Sequence, residues 1–139
     1  MRLLLLQLNP VIGDHSGNAG KIREEVIAAG PGSADLVVTP ELALTGYPPR
    51  DLLLFRGFVE KALEAARSLA TDLEGYPPVL VGSVQPNPSP VGRPLSNVAL
   101  LLHGEKVVRP FGKTLLPTYD VFDEDRYFEP ARGPQILDL

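Results

Sequence analysis

Three stretches of the 139-residue chain carry side chains that could do chemistry. In the first, Thr39-Pro40-Glu41-Leu42-Ala43-Leu44-Thr45-Gly46-Tyr47-Pro48-Pro49, a lone carboxylate stands just past a run of buried-type residues. If that run is a strand of an open α/β sheet, Glu41 sits beyond its C-terminal end, the edge at which such sheets bind ligands. Apolar neighbours there would suit its carboxyl to proton transfer. By position alone, a solvated loop glutamate capping the next segment is the simpler reading. Tyr47, ahead of two prolines, reads equally well as a packed tyrosine in a rigid loop.

The second stretch is Phe111-Gly112-Lys113-Thr114-Leu115-Leu116-Pro117-Thr118-Tyr119-Asp120. Lys113 follows a strand-like run and a glycine, so the backbone can turn and aim the amine inward. A lysine held beside a carboxylate could stabilise an oxyanion; without context, a solvated lysine at a strand end fits as well. The third stretch, Asp120-Val121-Phe122-Asp123-Glu124-Asp125-Arg126-Tyr127-Phe128-Glu129-Pro130, mixes acids, one arginine and aromatics. A charge run is usually a solvated face. The interleaved aromatics predict that part of this one is buried, and a buried carboxylate there would need Arg126, Lys113 or backbone donors as partners.

Other chemistries find no support. The chain contains no cysteine, which removes a disulfide scaffold, a thiolate zinc site and a thiol nucleophile from these residues. His15 and His103 have no second ligand at metal spacing and read as structural, His15 in a polar turn and His103 at a hairpin end. The acids of the third stretch lack the spacing and central glycine of an EF-hand loop. Gly13, Gly17 and Gly20 precede a helix, but without the tight first turn of a dinucleotide fingerprint.

The elements that must position these groups follow from pattern. Leu3–Leu8 reads as a buried strand ended by Asn9-Pro10. Asn18–Ala29 reads as a helix with Ala19, Ile22, Val26 and Ala29 on one face, closed by Gly30-Pro31-Gly32. Asp35–Thr39 is a second short strand, so the start of the chain is a β-α-β unit with parallel strands and a right-handed crossover. A second helix spans Phe58–Leu73, with Phe58, Val59, Ala62, Leu63, Ala66, Leu69, Ala70 and Leu73 as its apolar stripe. Pro78–Val84 is a third strand, and Gln85–Pro94 a Pro-rich surface loop. Ser96–His103 and Lys106–Arg109 form a hairpin turned at Gly104. Strands alternating with helices predict an α/β layer architecture, with both helices on one face of one sheet.

The composition suits one globular domain: 44% of residues are hydrophobic and 22% charged, enough for a core and against disorder. The net charge of −4, with acids and bases interspersed, argues against nucleic-acid or anionic-membrane partners. The N-terminal apolar run is too short to span a membrane, and no small-residue cleavage site follows it, so a cytoplasmic location is expected.

Taken in order, the motifs resemble the nitrilase superfamily of carbon–nitrogen hydrolases. Pro40-Glu41 and Gly46-Tyr47 match a P-E-x-x-x-x-G-Y motif. Lys113, Leu116-Pro117, Glu124 and Arg126-Tyr127-Phe128 match a K-x-x-L-P motif with a following acid and R-Y-F. Leu6-Gln7-Leu8-Asn9-Pro10, Gly13-Asp14 and Ser96-Asn97-Val98-Ala99 are similar to family segments too. Within the superfamily, Leu116 to Phe128 and Tyr47 to Leu53 are most similar to the N-terminal glutaminase part of glutamine-dependent NAD+ synthetases.

The resemblance implies the first part of a four-layer αββα sandwich. It implies hydrolysis of the side-chain amide of L-glutamine through a thioester, the ammonia being passed to a synthetase domain of the same protein. That domain would use ATP and Mg2+ to convert deamido-NAD+ to NAD+, in a protein expected to form homo-oligomers. Carried over by position, Glu41 is the general base, Lys113 the oxyanion partner and Glu124 the acid that orients the lysine. Tyr119 contacts the bound glutamine and Tyr47 lines the same pocket. The nucleophilic cysteine would lie beyond Leu139, so residues 1–139 are expected to be an incomplete piece of the enzyme. A stand-alone amidase or ω-amidase of the same superfamily, or a non-catalytic truncated assembly module, are the alternatives.

Overall fold

The computed structural model describes residues 1–138. Five strands form one sheet in the order β1-β2-β3-β4-β5: β1 (Leu3–Leu5), β2 (Leu36–Val38), β3 (Val79–Pro86), β4 (Leu95–His103) and β5 (Lys106–Gly112). β1, β2 and β3 run parallel, and β4 and β5 are added antiparallel. Helix α1 (His15–Ala29) connects β1 to β2, and α2 (Arg56–Asp72) lies between β2 and β3. Both crossovers advance across the sheet in the same direction, so a common right hand puts both helices on one face. They pack on each other, and α2 also rests on β3, β4 and β5.

That shared face is the core. Ile22 and Val26 of α1 meet Ala66, Leu69 and Ala70 of α2 over Val37, Val79, Val81, Val98, Leu100 and Leu102 of the sheet, all nearly inaccessible. At about 25 cal/mol per Å2 of apolar surface removed from water, these side chains supply the main driving force for folding. The opposite face carries the alternate strand positions. Leu3 is 50% exposed, Leu5 70% and Val108 56%. The described residues form one helix layer and one sheet, whose second face is open around Leu3, Leu5 and Val108.

Several boundaries differ from the pattern-based expectation. β1 ends at Leu5 rather than Leu8, although Leu6 N–H still donates to Val38 O. α1 begins at His15, three residues before Asn18, because the Asp14 carboxylate caps it by accepting from Gly17 N–H. Its buried stripe runs through His15, Asn18, Ile22 and Val26, so Ala29, expected in the stripe, is exposed. His15 is not in a polar turn: it is buried, edge-on to the Phe58 ring at 4.6 Å. Asn18 is buried because its side chain pairs with both backbone groups of Val11 and with Leu44 O, tying the β1–α1 loop to the loop after β2. The hairpin turn uses Gly104 and Glu105, both at positive φ as a two-residue type I′ turn requires. β5 extends to Gly112 and delivers Lys113 at its end.

Candidate active site

Glu41 follows β2 through Thr39 and Pro40. Thr39 N–H donates to Leu80 O, and Gly82 N–H donates to Thr39 Oγ1 at 3.0 Å, which fastens the loop to β3. Leu42, the next residue, lies at φ 49° although its side chain is 1% exposed. A buried leucine in the left-handed region costs about 1–3 kcal/mol and persists only when its surroundings fix it. Here Thr45 N–H and Gly46 N–H both donate to Leu42 O, closing a tight turn that projects Glu41 past the strand ends. The turn lies so close to β3 that a Cβ at Gly82 would fall 2.3 Å from Pro40 O and 2.5 Å from Leu42 N. Only glycine permits that approach.

Lys113 is placed from the other side. Its N–H donates to Asn97 O at 2.9 Å, carrying the β4–β5 ladder one residue past Gly112. Its Nζ donates to Glu41 Oε1 at 2.7 Å and to Glu124 Oε2 at 2.8 Å. One ammonium thus bridges two carboxylates, although 72 and 11 residues separate it from them. Burial works to lower the Lys113 pKa, but the hydrogen bonds to Glu124 and Glu41 and their negative charges outweigh it, and the net shift is upward. Lys113 therefore stays charged at neutral pH.

Glu124 is the most enclosed of the three, its side chain 7% exposed. It opens a single 3-10 turn, Glu124–Arg126, and its second donor is the Tyr47 hydroxyl at 3.2 Å. Burial and the adjacent Glu124 carboxylate push the Tyr47 phenol up to about 12, so it remains a donor. The turn is fastened on both flanks. Arg93 Nε donates to Asp125 O at 2.6 Å, while Asp51 pairs with Arg126 at 3.3 Å and accepts from the Tyr127 hydroxyl. The acid-rich segment thereby sorts itself: Glu124, Tyr127 and Phe128 turn inward, and Asp123, Asp125 and Arg126 face solvent.

The surroundings of Glu41 differ from the apolar loop expected. Its carboxylate is 42% exposed and meets an ammonium and an amide, since Asn97 Nδ2 also donates to its Oε1 at 2.6 Å. Sequence reasoning gave Asn97 no role. The available signal was an asparagine inside an apolar strand, because a buried amide needs partners. Tyr119 stands apart from the three charged groups, 70% exposed, its ring 5.5 Å from Phe122, which in turn lies 6.4 Å from Tyr47. Among the described residues no group of acids or histidines is arranged to hold a metal ion, and no helix is long and apolar enough to cross a membrane.

Glu41, Asn97 and Lys113 border an open groove of about 330 Å3 that continues along Val38, Leu80, Ala99 and Phe111 on the uncovered sheet face. A carboxylate able to take a proton thus stands beside a fixed positive charge at the mouth of a groove. That pairing can activate a nucleophile and stabilise an oxyanion in the same space.

Residues 2–136 match the family model described as carbon-nitrogen hydrolase. The glutamine-dependent NAD(+) synthetase of Synechocystis sp. is 46% identical over 132 residues, covering 93% of this chain and 24% of that protein. That of Thermotoga maritima is 35% identical, over 99% of this chain and 23% of its own length. The chain thus spans about a quarter of the length of the curated relatives it matches. Among solved structures, the glutamine-dependent NAD+ synthetase of Acinetobacter baumannii superposes with a TM-score of 0.86 at 30% identity, over 99% of this chain and 25% of that one. An amidase from Nesterenkonia sp. superposes with a TM-score of 0.75 at 24% identity, over 100% of this chain and 51% of that one, a likeness of fold. With a family match across almost its whole length, the chain belongs to the carbon-nitrogen hydrolase family.

Proposed function

We propose that residues 1–139 are the first part of the glutaminase domain of a glutamine-dependent NAD+ synthetase, and that Glu41, Lys113 and Glu124 serve hydrolysis of the glutamine amide. The observation that carries this reading is the Glu41–Lys113–Glu124 bridge at the mouth of the groove, on a chain 46% identical to such a synthetase. The nucleophile is a cysteine supplied by the part of the domain beyond these residues. Glu41 takes the thiol proton, and the thiolate attacks the amide carbon. The carbonyl oxygen gains negative charge, which the Lys113 ammonium stabilises. As the C–N bond breaks, Glu41 returns the proton to the leaving nitrogen, releasing ammonia and leaving a thioester. Glu41 then deprotonates water, which attacks the thioester to give glutamate and free thiol.

Glu124, anchored by Tyr47, holds the lysine in place rather than exchanging protons. Tyr119 and Tyr47 form the wall that receives the glutamine side chain. The ammonia passes to a synthetase domain of the same protein, which consumes ATP with Mg2+ to amidate deamido-NAD+, within a homo-oligomer. In the full-length protein, Glu41→Gln and Lys113→Ala are expected to abolish NAD+ formation from glutamine while preserving it from an added ammonium salt. A variant still active with glutamine overturns the role assigned to that residue. One inactive with both nitrogen sources shows a structural role instead.

A further inference from the structure

Both donors that reach Glu41 fall on the same oxygen. Asn97 Nδ2 lies 2.6 Å and Lys113 Nζ 2.7 Å from Oε1, and among the described residues nothing donates to Oε2. The amide orientation of Asn97 is dictated by this contact, because its oxygen at that distance would set two acceptors against each other. The remaining lone pairs of the carboxylate are therefore concentrated on Oε2.

Asn97 also fixes Lys113, through its own backbone: its carbonyl accepts Lys113 N–H at 2.9 Å. It is 4% exposed and lies on β4, in register with Val84 of β3 and one residue before the Val98–Gly112 pair with β5. The residue that anchors the carboxylate thus also anchors the lysine, from a strand paired on both sides, with β3 and with β5.

We infer that Asn97 is a positioning residue for Glu41: with Lys113 it clamps Oε1, so that Oε2 is the atom that accepts and returns the proton. This deepens the glutaminase reading and rests on it. A carboxylate free to rotate would present either oxygen over a range of directions. One held by two short donors presents a single oxygen in a single direction, and misplacement of a reacting atom by about 1 Å can cost about 100-fold in rate.

The test uses the full-length protein with two variants, Asn97→Leu, similar in size without a donor, and Asn97→Asp, similar in shape with an acceptor in the donor's place. Steady-state glutamine kinetics are read beside the rate from an ammonium salt and the thermal unfolding midpoint. The expected result is a fall in kcat for glutamine of about 100-fold, with KM for glutamine hardly moved and with the ammonium rate close to wild type. Unchanged kcat in both variants overturns the inference. So does loss of both nitrogen sources with a lowered midpoint, which marks Asn97 as structural. Glu41→Gln run alongside separates the two levels: if it keeps its glutamine rate, the base assignment falls and this inference with it. If only the Asn97 variants keep theirs, this inference alone falls.

Discussion

Gly82→Ala is the perturbation whose consequence the geometry defines best. The added methyl would sit 2.3 Å from Pro40 O and 2.5 Å from Leu42 N, both backbone atoms flanking Glu41. A comfortable carbon–oxygen contact is about 3.4 Å, so the loop must withdraw by about 1 Å. Gly82 cannot yield instead, since its strand is paired with β4 along its whole length. If Glu41 travels with its neighbours, its contacts to Asn97 and Lys113, now 2.6 and 2.7 Å, open to about 3.6 Å, beyond hydrogen-bonding range. Overpacking of this kind costs about 1–3 kcal/mol of stability, and a 1 Å displacement of the base about 100-fold in glutamine turnover. Glutamine- and ammonium-supported NAD+ formation by the full-length variant, with its unfolding midpoint, measures both. A Gly82→Ala protein with wild-type glutamine turnover would refute the reasoning, since it would mean that Glu41 does not depend on the close approach of its loop to β3.

Four further outcomes are expected. Lys113→Met leaves Glu124 buried without its cation, which should lower unfolding free energy by about 3 kcal/mol, tempered by the retained Tyr47 hydroxyl, as denaturant titration will show. In the unaltered protein the pH window is alkaline: with its pKa raised on folding, Lys113 contributes stability that is complete below its unfolded pKa of 10.5 and is lost as pH rises through the higher folded value, as denaturant titrations at several alkaline pH values will show. Tyr47 should ionise only near pH 12, so an ultraviolet difference titration should lose one late-titrating phenol in Tyr47→Phe. Residues 1–139 expressed alone should self-associate through the open sheet face bearing Leu3, Leu5 and Val108; a monodisperse, cooperatively unfolding monomer in sedimentation would contradict this.

Much of this was legible in the sequence because it rests on local physics. The β-α-β start follows from apolar runs of strand length alternating with a 3.6-residue stripe, and the helices fall on one face because successive right-handed crossovers leave no other arrangement. The turn at Gly104, the strand before Pro40 and the glycine before Lys113 are each short-range backbone preferences. The order of Glu41, Lys113 and Glu124, with the motifs around them, was likewise enough to identify the family.

What only the tertiary structure decided is long-range. No spacing rule relates Glu41 to Lys113 across 72 residues; the sheet does so, by setting the ends of β2 and β5 on the same edge with two strands, β3 and β4, between them. Apart from the family motif, no local feature of the acid-rich segment singles out Glu124 from Asp123 or Asp125. The choice is made by Arg93 and Asp51, which pin the turn so that one side chain alone faces the lysine. His15 reads as part of a polar turn and Asn18 as the first residue of a helix; both are core, because their neighbours in space, Phe58 and the Val11 and Leu44 backbone, lie elsewhere in the chain. Asn97 and Gly82 acquire meaning only from the Glu41 loop that folds over them. A residue's chemistry is local, but its partners are set by loop closure and packing, and those are decided by the whole fold at once.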